Sequence, residues 1–197
     1  FVPCRPPILC TRGRKVKCRR GIEWEKRGKT VPKGVFRVIR VGIWERDEGI
    51  FRAVRGALEA GSRPFPQMLS GRYAAEFAAM NLDLLAVSPE AAARARPSAG
   101  VRCRCLLLPG TAGPLAREVA AEYAVSYGTS PKDTITLSSL EGDQICLALQ
   151  RELVTLGGAV VEQQELVLPF PPGRSPLPWL CAVGALLLMD VPPERLE

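Results

Sequence analysis

The chain contains no histidine. That absence excludes every mechanism and metal site that needs an imidazole, from Ser-His-Asp triads to His-liganded zinc. There is no run of about 18 uncharged apolar residues from which a membrane-spanning helix could be built. None of the seven cysteines forms a C-x-x-C pair, and aromatics are only 6% of the 197 residues. Lysine nearly vanishes after Lys33, leaving Lys132 in a body whose other cations are arginines. What is present, 47% apolar and 24% charged residues, describes a globular protein of one or two domains rather than a disordered chain.

The net charge of +7 is unevenly placed. Residues 1–40 carry 13 Lys and Arg against Glu23 and Glu25, a balance of +11, and the other 157 residues carry 14 basic and 18 acidic groups, a balance of −4. A basic arm, residues 1–34, therefore precedes an acidic body. With Pro3, Pro6, Pro7 and Pro32 and no apolar period, the arm is expected to be disordered. It has three competing explanations. Clustered cations suit phosphates, so nucleic acid is a partner if the arm is genuine, although only Phe1, Trp24 and Phe36 offer rings for stacking. A targeting segment is the second, but the apolar core of a secretory signal is missing. The favoured third is upstream sequence read in frame, with the native start near Val35: the chain opens on Phe1, and Lys26-Arg27-Gly28-Lys29 is what a purine-rich ribosome-binding site encodes. The far end, Glu197, is expected to fall short of where a helical pattern would continue.

Cys4, Cys10 and Cys18 are too irregularly spaced for a zinc site. Cys103, Cys105, Cys146 and Cys181 sit in apolar runs and are expected to be buried small hydrophobes of a reducing, cytoplasmic compartment.

From Val35 onward strands and helices alternate. Residues 36–44 are β-branched and apolar, a strand; 49–60 place Ile50, Val54, Ala57 and Leu58 at helical spacing. Pro64 and Pro66 make 62–70 a loop, and Ala-rich 73–80 a short helix. Strands are predicted at 82–87, 101–108 and 123–127, with helices at 90–96 and 114–121, the latter opened by Pro114. Beyond Gly128, short strands at 134–140, 144–149, 153–156 and 160–168 with turns at Glu141-Gly142-Asp143 and Gly157-Gly158 predict hairpins. Residues 178–189 form an apolar helix. The expected fold is α/β: a mostly parallel sheet flanked by helices, a β-hairpin excursion and a buried C-terminal helix. Residues 35–128 are the Rossmann-like or receiver-like half and 129–197 the hairpins and last helix, together one domain.

The stretch from Cys105-Leu-Leu-Leu-Pro-Gly-Thr-Ala-Gly-Pro through Tyr127-Gly128 to Asp133 resembles the late part of the central ATPase domain of the Mur ligases. The likeness runs on through the hairpins, the Pro169–Gly173 turn, the Ala/Leu helix and Val191-Pro-Pro-Glu-Arg-Leu196, covering roughly 105–197. It implies an α/β cell-envelope relative. The family's ATP chemistry is not carried over. The chain's Gly28-Lys29-Thr30 follows no strand and opens no helix, Pro109-Gly110-Thr111 replaces the family's acidic loop, and Leu177-Pro178 replaces its His-Asn. The carbamylated lysine and magnesium-binding glutamate have no counterparts.

Separately, 39–61 resembles the first strand and helix of response-regulator receiver domains, in which acids after strand one hold magnesium; Glu45, Asp47 and Glu48 stand at that place. The favoured reading of those acids is as partners of a helix N-terminus, whose macrodipole they complement. Ser88 occupies the place of the receiver phospho-acceptor and cannot form an acyl phosphate.

Candidate residues follow from where parallel sheets hold ligands, beyond the carboxyl ends of their strands: Trp44–Asp47, Ser88–Glu90 and Pro109–Gly113. An anion site is expected from Gly110, Thr111 and Gly113 with Ser88, and a metal site from Glu45 and Asp47. Ser126, Ser130, Ser138 and Ser139 would need Lys132 as base, and Thr129–Asp133 is better explained as a turn. No catalytic residue and no cofactor is assigned. The expected function is a non-catalytic or degenerate Mur-ligase-like binding or regulatory module of a bacterial cytoplasm. The alternative is an enzyme working on a phosphorylated or nucleotide-like substrate at the strand-end loops.

Overall fold

A computed structural model describes residues 38–60, 65–95 and 100–196. The basic arm with its cysteines and its charge-based readings lies outside the described residues, as do residues 35–37. Residues 37–197 form one compact unit.

The core of that unit is one eight-stranded sheet. Its parallel strands are β1 (Arg40–Trp44), β2 (Gln67–Gly71), β3 (Asn81–Val87), β4 (Arg102–Pro109), β5 (Ala120–Gly128) and β6 (Ile135–Glu141). β7 (Gln144–Leu149) runs antiparallel to β6, and β10 (Glu165–Pro169) antiparallel to β7, closing the far edge. Across the sheet the order is β10-β7-β6-β5-β4-β3-β1-β2. Within it, β2-β1-β3-β4-β5 is the doubly wound order in which the chain reverses direction about its first strand. The central strands are apolar along nearly their whole length because both faces of the sheet are covered: Leu82 and Leu84 to Val87 are all buried.

The two faces have different covers. Helix α1 (Gly49–Glu59) packs Ile50 and Val54 onto one face, beside α4 (Pro176–Leu188), whose residues Leu180–Leu188 are all buried. Gly184 lets α4 lie this close: a Cβ there would stand 2.7 Å from Ile135 Cδ1. The opposite face carries the 3-10 turn Ala74–Phe77 and the short helices α2 (Pro89–Ala93) and α3 (Leu115–Glu118) over Leu85, Leu106 and Leu108. A separate two-stranded hairpin, β8 (Leu153–Val154) with β9 (Val160–Val161), holds the end of α4. There Leu156 N–H donates to Leu188 C=O at 2.8 Å, Gly157 N–H to the Asp190 carboxylate at 3.0 Å, and Arg104 to Leu156 C=O at 2.7 Å. Among the described residues no helix is long and apolar enough to cross a membrane.

Three local expectations are corrected. Residues 67–70 of the loop expected over 62–70 belong to edge strand β2, paired in register with β1; Pro66 precedes the strand, and only one side of an edge strand needs N–H donors. The helix expected over 114–121 lasts only Leu115–Glu118, because Ala120 already pairs with Arg102 as the first residue of β5. The strand expected over 160–168 is two strands in different sheets, separated by the polar Glu162-Gln163-Gln164.

Candidate functional site

The connection leaving β1 enters α1 on one face of the sheet, whereas the connection leaving the neighbouring β2 enters the Ala74–Phe77 turn on the other. Both loops leave the carboxyl ends of parallel strands, the end at which such sheets hold ligands, and a crevice lies between them; the reversal of strand order falls one strand over, between β1 and β3. A cleft of about 360 Å³ occupies this crevice, lined by Glu45, Arg46 and Glu48 after β1 and by Ser70–Tyr73 and Glu76 at the end of β2.

Its floor is Glu45. The side chain is 1% exposed, and its two oxygens accept Ile50 N–H and Phe51 N–H, each at 2.8 Å, with the Ser70 hydroxyl at 3.5 Å. A carboxylate here answers two of the N–H groups that the first turn of α1 leaves without helical partners, and suits the positive end of the helix. Burial nevertheless pushes the Glu45 carboxyl above the ordinary range, against the lowering effect of the two amides. The backbone turns into α1 through Glu48 at φ 57°, in the left-handed region, and Arg52 braces that turn by donating to Asp47 C=O at 2.9 Å and Glu48 C=O at 3.1 Å.

The β2 side is equally fixed. Glu45 N–H donates to Gly71 C=O at 3.0 Å, and the Trp44 indole N–H donates to Arg72 C=O at 3.0 Å. Glu76 Oε1 accepts both Arg72 N–H and Tyr73 N–H at 2.8 Å. Two of the three cleft glutamates are thus engaged by backbone amides. Neither Arg46 nor Arg72 has an ion-pair partner among the described residues.

Of the residues singled out from sequence, Glu45 and Glu48 line this cleft, as does Arg46 of the expected strand-end segment 44–47. Asp47 is exposed, its Oδ1 accepting Gly49 N–H at 3.3 Å. Among the described residues no group of three or more Cys, Asp or Glu is arranged to hold a metal. Ser88 caps α2, its hydroxyl accepting Ala91 N–H at 3.1 Å. Gly110 and Thr111 form a 3-10 turn after β4, with Gly113 just past it. Against this turn lies the chain's own buried carboxylate: a Cβ on Gly110 would stand 1.7 Å from Asp133 Oδ1. The Asp133 side chain therefore packs against the loop from which an anion site was expected.

Three of the four serines named near Tyr127-Gly128 make hydrogen bonds within the fold. Ser126 Oγ accepts Thr134 N–H at 3.2 Å, Ser130 Oγ accepts Lys132 N–H at 3.3 Å, and Ser138 donates to Glu165 at 3.0 Å. At the end of β3, Val87 C=O accepts the Tyr127 hydroxyl at 2.6 Å and the Cys181 thiol at 3.7 Å. Burial pushes the thiols of Cys103, Cys105 and Cys181 up to about 12, which leaves them neutral.

Arg72, Tyr73 and Glu76 are the residues that sequence reasoning missed. Their signal was the spacing Tyr73-x-x-Glu76, a capping-box-like pattern at the start of a helical turn, hidden by the absence of a recognised strand before it. No protein-family model matches the chain, and no curated protein matches it.

Proposed function

We propose that this chain is a non-catalytic binding or regulatory module of a bacterial cytoplasm, and that it takes a phosphorylated small molecule into the cleft at the ends of β1 and β2. The observation that carries the proposal is the position of that cleft at the carboxyl ends of two adjacent parallel strands, the end at which such sheets hold ligands. Arg46 and Arg72, free of ion pairs among the described residues, supply the planar donor forks that suit phosphate oxygens. The non-catalytic side is supported by the use of Glu45 and Glu76 as backbone acceptors, which ties up two of the groups best placed to move a proton. Relation to the Mur ligase central domain is proposed as one of architecture over 105–197, supported by the succession of strand, short helix, strand, hairpins and apolar helix. Free thiols at Cys103, Cys105, Cys146 and Cys181 suit a reducing compartment.

Titration calorimetry of the full chain with ribose 5-phosphate tests this. Saturable binding is expected, weakened at least tenfold in the Arg46→Ala/Arg72→Ala variant, since a hydrogen bond to a charged group contributes about 1.5–3 kcal/mol. Unchanged affinity in that variant overturns the assignment. Steady release of inorganic phosphate from the bound ester overturns the non-catalytic half and favours the enzyme alternative.

A further inference from the structure

The rim of the cleft carries a feature that phosphate recognition leaves unused. Tyr73 is 71% exposed, more than any other large hydrophobic side chain among the described residues. Exposure of an aromatic ring usually accompanies a loose loop, but this backbone is held from several sides. Its own N–H and that of Arg72 are bound by Glu76, Arg72 C=O is bound by the Trp44 indole, and Gly71 is pressed against the Phe77 ring, where a Cβ would stand 2.8 Å from Cζ. A ring presented to solvent from a braced turn loses little conformational freedom when a second ring covers it. It is also adjacent in sequence to Arg72, one of the two guanidinium groups at the cleft.

Resting on the cleft being the ligand site, we infer that its ligand is a nucleotide, with the phosphate on Arg46 and Arg72 and the base stacked on Tyr73. The size agrees. About 360 Å³ lies near the lower end of small-molecule sites, which run from about 300 to 1,000 Å³, and so suits one nucleotide rather than two. Stacking on an exposed aromatic is tolerant of base identity, because every base presents a π-face.

Calorimetry of the full chain with AMP and with ribose 5-phosphate separates the two parts of the site. AMP is expected to bind about tenfold more tightly than ribose 5-phosphate, the order of magnitude of one base–aromatic stack. Tyr73→Ala is expected to remove that advantage while leaving ribose 5-phosphate affinity unchanged, and Tyr73→Phe to preserve it. Because Tyr73 is exposed and its backbone contacts do not use the ring, neither substitution threatens folding. Equal affinity of the two ligands for the unaltered protein, or an AMP advantage that survives Tyr73→Ala, overturns the nucleotide inference and leaves the phosphate site standing. Failure of both ligands to bind overturns the site itself, and the nucleotide inference with it.

Discussion

Replacing Glu45 perturbs the floor of the cleft and the start of α1 together. Glu45→Ala removes two amide–carboxylate hydrogen bonds of 2.8 Å and a longer contact with Ser70. Gross contributions of about 1.5–3 kcal/mol for each charged hydrogen bond are reduced by the cost of keeping an ionised carboxylate out of water, the effect that raises its pKa. Losses at helix N-caps, up to about 2 kcal/mol, set the scale for the net effect, so about 2 kcal/mol is expected. For a chain of this length that lowers Tm by about 4–8 °C. The pH dependence carries a sign that packing alone would not produce. Because the folded-state pKa of Glu45 lies above its unfolded value of 4.5, the native protein holds a proton that the unfolded chain has released as pH rises through that interval. Stability associated with this group is therefore greatest at low pH and falls as pH climbs from 4.5 through the raised value. The non-titrating Glu45→Gln lacks that dependence, so its deficit relative to the unaltered protein is expected to shrink as pH rises. Urea unfolding at a series of pH values reads both quantities. A Glu45→Ala cost below about 0.5 kcal/mol, or a Glu45→Gln deficit that widens with rising pH, refutes the reasoning.

Other substitutions separate structural from ligand-facing residues. Ser88→Ala removes the cap of α2 and is expected to cost about 1 kcal/mol in denaturant unfolding while leaving ligand affinity unchanged. Tyr127→Phe deletes the buried 2.6 Å bond to Val87 C=O and is expected to cost about 1–2 kcal/mol by the same measurement. Gly110→Ala drives a methyl group into the Asp133 carboxylate and is expected to cost about 1–3 kcal/mol; combined with Asp133→Ala, its cost should be less than additive because the two occupy one space.

The legible parts of the sequence are those where burial dictates residue type. β3 and β4 could be recognised because a strand covered on both faces reads as a nearly continuous apolar run, Leu82 to Val87 and Cys103 to Leu108. Helix α4 was visible for the same reason, apolar on every side. Edge strand β2 lacked such a signature. Only Gly71 is buried along it, and its identity comes from pairing with β1, a contact 27 residues away in sequence. The site shows the same division. An acid after β1 could be singled out as important, but its partners, the α1 amides, depend on the tight left-handed turn at Glu48. Arg72 and Tyr73 could not be placed beside it without β2. The anion loop at Gly110 looked open in sequence because nothing local reveals that Asp133, 23 positions later, packs against it.

The central claim is that ligand enters between the β1 and β2 connections rather than at another strand end. Backbone amide NMR of the full chain, titrated with ribose 5-phosphate, tests this most directly. Saturable shifts are predicted to concentrate at Glu45–Glu48 and Ser70–Glu76, the residues that line the cleft and brace its walls. Shifts concentrated instead at Ser88–Glu90 and Pro109–Gly113, or no saturable shift at the cleft, would contradict the account.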